Sequence, residues 1–204
     1  MSISVEEWKN HNAWEKSWWG TCQNTYAEQV KQEKYAELMK LMKYAEVGGW
    51  FNLQGISVLD IGGGPCSLLL RCKNYSKAVV VDPCRFPQWV GLRYKEAGIE
   101  FVNEMAEDYQ PKTLFNECWC YNCLQHVADV DKIVDMMKRS AKKIRVVEYI
   151  EVGRCPGHPN NLTKEWLDRA FGRQGIAEKD PEIHIGRYYF GVFNYNGRME
   201  GTNG

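Results

Sequence analysis

The chain has 204 residues, of which 44% are hydrophobic and 25% charged. That globular composition excludes wholesale disorder and fits one compact domain. Lys plus Arg and Asp plus Glu are both 26, so the formal charge is zero, which weighs against a chain built for non-specific nucleic-acid binding.

No apolar run approaches the roughly 20 residues of a membrane-spanning helix, and no membrane association is expected. The N-terminus lacks the basic-then-apolar layout of a secretory signal. The eight cysteines are therefore expected to stay reduced in a cytoplasmic protein. Ser4 and Glu7 have capping-box spacing and predict a short helix behind them. Gly20 interrupts, and Thr25 and Glu28 repeat the spacing ahead of a longer helix to about Tyr44. There Tyr26, Val30, Tyr35, Leu38, Leu41 and Met42 recur at largely helical intervals. Trp8, Trp14, Trp18 and Trp19 crowd the start of the chain. They serve either to pack this segment on the main body or to close over a ligand.

Short apolar runs at 56–61, 78–82, 99–102, 114–121 and 144–150 then alternate with helical patterns at 65–73, 86–97 and 130–141. Such alternation predicts right-handed crossovers and a mainly parallel sheet with helices on both faces. The link 103–113 is short for a helix. Residues 153–161 read as a loop, 163–171 as a helix, and 182–185 with 188–194 as a closing antiparallel strand pair through Gly186 and Arg187. Cys118 and Cys120 fall on one sheet face. With Cys123 they lack the second ligand pair that a structural zinc requires, so no metal is expected.

The chemistry concentrates at Val58-Leu59-Asp60-Ile61-Gly62-Gly63-Gly64-Pro65, an apolar strand running into three glycines. Glycine permits a sharp bend and a close approach of ligand to backbone. Pro65 would open a helix whose free N–H groups face the same spot. Asp82 ends the second strand, twenty residues after Gly62, where an acid accepts hydrogen bonds from the ribose hydroxyls of an adenosine. A dinucleotide fingerprint counted from Gly62 needs glycine at 67, where Ser67 stands, and Asp60 beside the bend would repel a pyrophosphate. S-adenosylmethionine carries a sulfonium and an ammonium and no phosphate, which suits a nearby carboxylate. The Walker A pattern is also missing.

Together, VLDIGGGPCSLLL, VVVDP, MAED and YNCLQHVADVDKIV resemble the successive motifs of class I S-adenosylmethionine-dependent methyltransferases, over residues 56–150. The resemblance implies an α/β fold with a doubly wound, mainly parallel seven-stranded sheet (Rossmann-like), an antiparallel C-terminal strand pair and N-terminal helices. It implies that Asp60, Gly62 and Gly64 line the methionine part of the cofactor. Asp82 would hold the ribose with Pro83 beside it, Ala106 and Glu107 would flank the adenine, and Asn122 would lie under the reactive methyl. Cys66 replaces the family's third glycine, which leaves the bend less open. Residues 1–46 are expected to form a helical cover, 47–195 the methyltransferase domain and 196–204 a loose tail. Trp19, Tyr26 and Gln32 are candidates for the cover or for docking against the sheet.

Methyl transfer asks the protein to align an acceptor, exclude water and, where needed, remove a proton. His126, after the fourth strand, and His158, after the fifth, are the candidate bases. A structural hydrogen bond is the competing role for each. Glu148 and Glu151 would meet a cationic acceptor or simply be solvated. Neither an Asn-Pro-Pro-Tyr nor a Pro-Cys sequence follows the fourth strand, where Tyr121-Asn122-Cys123-Leu124 stands. This weakens a DNA-methylase reading and leaves RNA or protein acceptors open. The expected function is methyl transfer from S-adenosylmethionine to a small-molecule acceptor. A non-catalytic S-adenosylmethionine-binding module and a nicotinamide oxidoreductase are the alternatives.

Overall fold

Alternate residues of the central strands face opposite layers, the period-2 consequence of a pleated backbone. The computed structural model describes residues 2–19, 22–179 and 186–195. In chain order its strands begin with β1 (Phe51–Asn52), β2 (Ser57–Ile61), β3 (Cys72–Lys73), β4 (Lys77–Val81) and β5 (Glu100–Val102). They continue with β6 (Phe115–Tyr121), β7 (Ala141–Ile150), β8 (Ile176–Glu178) and β9 (Arg187–Asn194). The main sheet holds seven of these in the order β5-β4-β2-β6-β7-β9-β8. Its first five run parallel, whereas β9 lies antiparallel between β7 and β8. Leu59, Ile61, Val79, Val81, Cys118, Cys120, Ile144 and Val146 point into one core layer. Val58, Ala78, Val80, Trp119, Tyr121 and Val147 point into the other. Near-continuous apolar strands are what a sheet covered on both faces requires.

Helices α1 (Val5–Trp19) and α2 (Cys22–Leu38) precede the sheet, α3 (Gln88–Glu96) follows β4, α4 (Val130–Ser140) follows β6, and α5 (Lys164–Phe171) follows β7. The predicted Ser4 cap is present, with the Glu7 amide donating to Ser4 Oγ at 3.1 Å. Thr25 is not a cap, because α2 already begins at Cys22. Residues 65–73 form no α-helix. They make two short 3₁₀ turns, Gly64–Cys66 and Leu68–Arg71, then β3, which pairs in parallel with β1. Besides β7, β9 pairs with β8; the predicted strand at 182–185 and the tail at 196–204 lie outside the described residues. No described helix is long and apolar enough to cross a membrane.

The N-terminal helices are tied to the sheet by charge as well as by packing. Arg145 and Glu117, both nearly inaccessible, pair through Nε at 2.6 Å and Nη2 at 2.8 Å. Arg145 Nη1 also donates to the Met39 carbonyl just past α2, and the Trp119 indole donates to Glu117 at 2.9 Å. Burial alone would raise the Glu117 carboxyl, but Arg145, Trp119 and Lys143 hold it down at about 2. Removing one partner of such a pair leaves an uncompensated buried charge and costs roughly 3–5 kcal/mol. Arg145→Met is therefore expected to lower the unfolding free energy by about that much in urea titration. A loss below about 1 kcal/mol, the range of exposed pairs, would contradict it.

Candidate functional site

The strand order reverses between β2 and β6, where the chain winds outward in two directions, and ligands of open α/β sheets collect beyond the strand ends at such a point. A cavity of about 370 Å³ opens there, a size within the range of roughly 300–1,000 Å³ for small-ligand sites. Its walls include Gly62 and Gly64 from the bend after β2, Asp82 and Pro83 after β4, Ala106 and Glu107 after β5, and Asn122 and His126 after β6. His158 from the loop after β7 completes this set, so nine sequence-predicted residues are brought to one cavity. Asp60 and Pro65 are not among its lining.

Asp60 is a correction with a plain cause. It is one residue out of phase with Leu59 and Ile61, so its side chain enters the layer on the opposite face of the sheet. There it is fully buried and accepts from Ser67 Oγ at 2.5 Å and the Tyr121 hydroxyl at 3.0 Å. Burial pushes its carboxyl up to about 7. Pro65 lies buried inside the first 3₁₀ turn. Without a helix, the amides past the bend find side-chain partners: Ser67 N–H donates to Tyr94 Oη at 2.9 Å and Leu68 N–H to Tyr121 Oη at 2.8 Å. Tyr94 in turn donates to the Gly64 carbonyl at 2.6 Å, and Gln32 donates its amide to the Cys66 carbonyl. Gln32 therefore serves the bend rather than the cavity, while Trp19 does line it. The Tyr26 side chain lies outside the described residues. Gly62 has φ +70°, and a Cβ there would collide with Cys123 Sγ.

Asp82 links the loops after β2 and β4. Its Oδ2 accepts from the Gly64 amide at 3.0 Å and its Oδ1 from the Cys84 amide at 2.8 Å. Each carboxylate oxygen keeps a lone pair for a further donor. Burial raises this carboxyl to about 6. Asn103 fixes the turn by donating to the carbonyls of Asp82 and Cys84. Asn12 of α1 reaches Cys84 Sγ at 3.2 Å, which lays the N-terminal helix against this loop.

Glu107 lines the cavity, but its Oε1 accepts from the amides of Ala128 and Asp129 at 3.0 and 3.1 Å. Glu148 faces no acceptor space. It is fully buried, its carboxylate takes the amides of Cys123 and Leu124 at 2.9–3.1 Å, and burial raises it to about 7. Glu151 pairs with Arg187 at the surface. Asn122, at φ +51°, accepts from the Gln125 amide at 2.8 Å. The turn after β6 is thus held by Glu148 and Glu107 from two neighbouring segments. Asn160 adds a third hold, donating to the Val127 carbonyl at 2.7 Å.

The two histidines meet across the cavity wall, rings edge to face with centroids 4.8 Å apart. His126 Nδ1 lies 2.6 Å from the Gly157 carbonyl and 3.1 Å from Glu15 Oε1. Burial alone would lower the His126 value, but Glu15, Gly157 and Glu148 raise it overall. Burial and the nearby His126 bring His158 down to about 4. Trp8, Trp14, Glu15 and Lys31 of the N-terminal helices also line the cavity, as does Tyr149 of β7. The early tryptophans signalled this wall; Glu15 and Lys31 had no local motif to mark them.

No family model matches the sequence, and no match was found among curated proteins. Solved structures do match in fold. The N-methyltransferase NodS from Bradyrhizobium japonicum WM9, in complex with S-adenosylhomocysteine, superposes with a TM-score of 0.66 at 12% identity, over 92% of this chain and 99% of that one. The 1,6-didemethyltoxoflavin-N1-methyltransferase of Burkholderia thailandensis, with its named compound and S-adenosylhomocysteine bound, gives 0.65 at 15%, over 95% and 91%. Magnesium protoporphyrin IX methyltransferase from Synechocystis PCC 6803, with bound S-adenosylhomocysteine, gives 0.55 at 13%, over 83% and 84%. The chain has the Rossmann-like fold of class I methyltransferases.

Three buried carboxyls, Asp60, Asp82 and Glu148, carry raised values of about 7, 6 and 7. A carboxyl raised in the folded state contributes stability that is complete below its unfolded value, near 4, and lost as pH rises through the folded one. Glu117 acts in the opposite sense, losing its contribution as pH falls from about 4 towards 2. The thermal midpoint of the unliganded protein is thus expected to be higher at about pH 5 than at about pH 8. A midpoint that rises across that interval would contradict these assignments.

Proposed function

We propose that the chain transfers a methyl group from S-adenosylmethionine to a small-molecule acceptor. One observation carries this reading: the cavity at the switch point sets the Asp82 carboxylate opposite a glycine bend that presents no anion cradle. A dinucleotide pyrophosphate needs free backbone N–H groups at a helix N-terminus. Here that helix does not form, and the amides of Gly64, Ser67 and Leu68 are already taken by Asp82, Tyr94 and Tyr121. What remains is an acceptor carboxylate suited to the hydroxyls of a ribose, beside an apolar wall of Ile61, Val81, Ala106 and Val127 suited to an adenine. The nicotinamide alternative loses its support on this ground, although the Asp60 repulsion invoked from the sequence does not operate in the cavity.

Asp82 would accept from the ribose, with Pro83 beside it, and Ala106 and Glu107 would border the adenine. Gly62, Gly64 and Asn122 would border the methionine part, and Lys31, next to the Gln32 that holds the bend, would meet its carboxylate. S-adenosylmethionine, when bound, supplies a methyl carbon already activated by a sulfonium. The chain's own part is to align the acceptor, to exclude water with Trp8, Trp14 and Trp19 of α1 and to take up a proton at His126 or His158. Two of the matched proteins are named for small substrates of their own, a toxoflavin precursor and a porphyrin, and a cavity of this size suits an acceptor of that order. Reduced thiols and a cytoplasmic location belong to the same proposal.

Calorimetry with S-adenosylhomocysteine tests it. Binding is expected above pH 6, and Asp82→Ala is expected to weaken it by about 1–3 kcal/mol, the loss of charge-assisted hydrogen bonds. Ribose donors favour the ionised carboxylate, so wild-type affinity is expected to fall as pH drops through about 6. Absence of binding, or an affinity equal in Asp82→Ala, would refute the assignment. Incubation of methyl-labelled S-adenosylmethionine with a metabolite extract then separates an enzyme, which moves label into small molecules, from a module that binds and releases it unchanged.

A further inference from the structure

The histidine that faces the cavity is gripped from the N-terminal helix, and this contact has chemical consequences. His126 Nδ1 is hydrogen-bonded to the Gly157 carbonyl at 2.6 Å and lies at ion-pair distance, 3.1 Å, from Glu15 Oε1, a buried oxygen with no hydrogen-bond partner of its own among the described residues. Both are acceptors, so Nδ1 carries the proton and the neutral ring keeps its lone pair on Nε2. That atom lies 3.3 Å from the side-chain NH₂ of Gln125, which also donates to Asn122, so Gln125 must turn aside for Nε2 to take a proton. The opposite oxygen of Glu15 accepts from the Trp19 indole at 3.2 Å, which fixes the carboxylate. Glu15 and His126 are both mostly shielded from solvent and both line the cavity.

We infer that Glu15 is a positioning residue for His126: with the Nδ1 hydrogen held by the Gly157 carbonyl, the Glu15 carboxylate stabilises the imidazolium formed when His126 Nε2 takes the acceptor's proton. This rests on the methyl-transfer reading of the same cavity. In the step, the acceptor's O–H or N–H atom forms a new bond to the methyl carbon while the carbon–sulfur bond breaks. That electron pair stays on sulfur, and the displaced proton passes to Nε2. The imidazolium then lies between Glu15 and the Gly157 carbonyl, the arrangement that a carboxylate partner provides to other histidine bases. Because Glu15 sits on α1, the base is complete only when that helix lies across the cavity.

The charged and titratable groups facing His126 are Glu15 from α1, His158 from the loop after β7, and Glu148 from β7. His11 of α1 adds a contact through the Gly157 amide, which donates to its Nδ1 at 3.1 Å. His158 packs edge-on and stays neutral where His126 is charged, since burial and that neighbour bring it down to about 4. The two rings therefore titrate far apart, which makes them separable by spectroscopy.

The test is nitrogen-15 and carbon-13 NMR of the imidazoles in the full chain, with His126 assigned from the resonance lost in His126→Gln. In the wild type the neutral ring is expected to show the Nδ1–H tautomer and to titrate above ordinary histidine. Glu15→Gln keeps an oxygen acceptor and removes the charge, and is expected to lower the midpoint by about one to three pH units. Glu15→Asp is expected to restore part of that shift. An Nε2–H tautomer in the wild type, or a midpoint unmoved in Glu15→Gln, overturns the proposal. The tautomer is read on the wild type alone, so it tests the proposal even where the Glu15→Gln chain fails to fold. Wild-type binding of S-adenosylhomocysteine, measured on the same sample, decides the methyl-transfer reading separately.

Discussion

The hydrogen bond from the Gly64 amide to Asp82 Oδ2 joins the loops at the ends of two adjacent strands, and the cavity takes its shape from that tie. β2 and β4 pair residue by residue up to Ile61 and Val81, so their carboxyl ends are already in register. The bend after β2 must then turn without a helix to absorb its amides. Tyr94 from α3 and Tyr121 from β6 take over that task, and each hydroxyl serves two partners: Tyr94 the Ser67 amide and the Gly64 carbonyl, Tyr121 the Leu68 amide and Asp60. Buried backbone groups must be paired, and here the pairing pins the bend from beneath. On its cavity side the bend then presents glycine backbone facing the Asp82 carboxylate.

Much of the architecture was legible because it rests on local periodicity. The five parallel strands, α3, α4 and α5 follow from short apolar runs alternating with helical patterns, and the structure adds the Thr163 cap, which accepts from the Trp166 amide at 3.2 Å. The helix predicted after the glycines was not legible as a pair of 3₁₀ turns, because the hydroxyls that replace it come from positions 94 and 121. The role of Asp60 was within reach: strict alternation from Leu59 and Ile61 turns it away from the ligand face. Glu107, which the resemblance sets beside the adenine, and Glu148, expected to meet a cationic acceptor or be solvated, both hold the turn after β6: Glu107 Oε1 and the Glu148 carboxylate accept its backbone amides. That assignment needs the fold, since it joins segments far apart in sequence.

The N-terminal helices supply what the sheet motifs leave open. Trp8, Asn12, Glu15 and Trp19 recur along one face of α1 at spacings of three to four residues, as neighbours on a helix do. Asn12 touches the turn after Asp82, and Glu15 touches the histidine beyond β6. One helix thus spans the proposed adenosine and acceptor ends of the cavity. The buried Arg145–Glu117 pair holds the chain just past α2 to the sheet.

The most direct measurement is a crystal structure of the full chain grown with S-adenosylhomocysteine. The adenosine is expected within the switch-point cavity, with both ribose hydroxyls on the Asp82 carboxylate and the thioether sulfur between Asn122 and the His126–His158 pair. A ligand bound elsewhere, or seated in the cavity with its ribose turned away from Asp82, would contradict that placement.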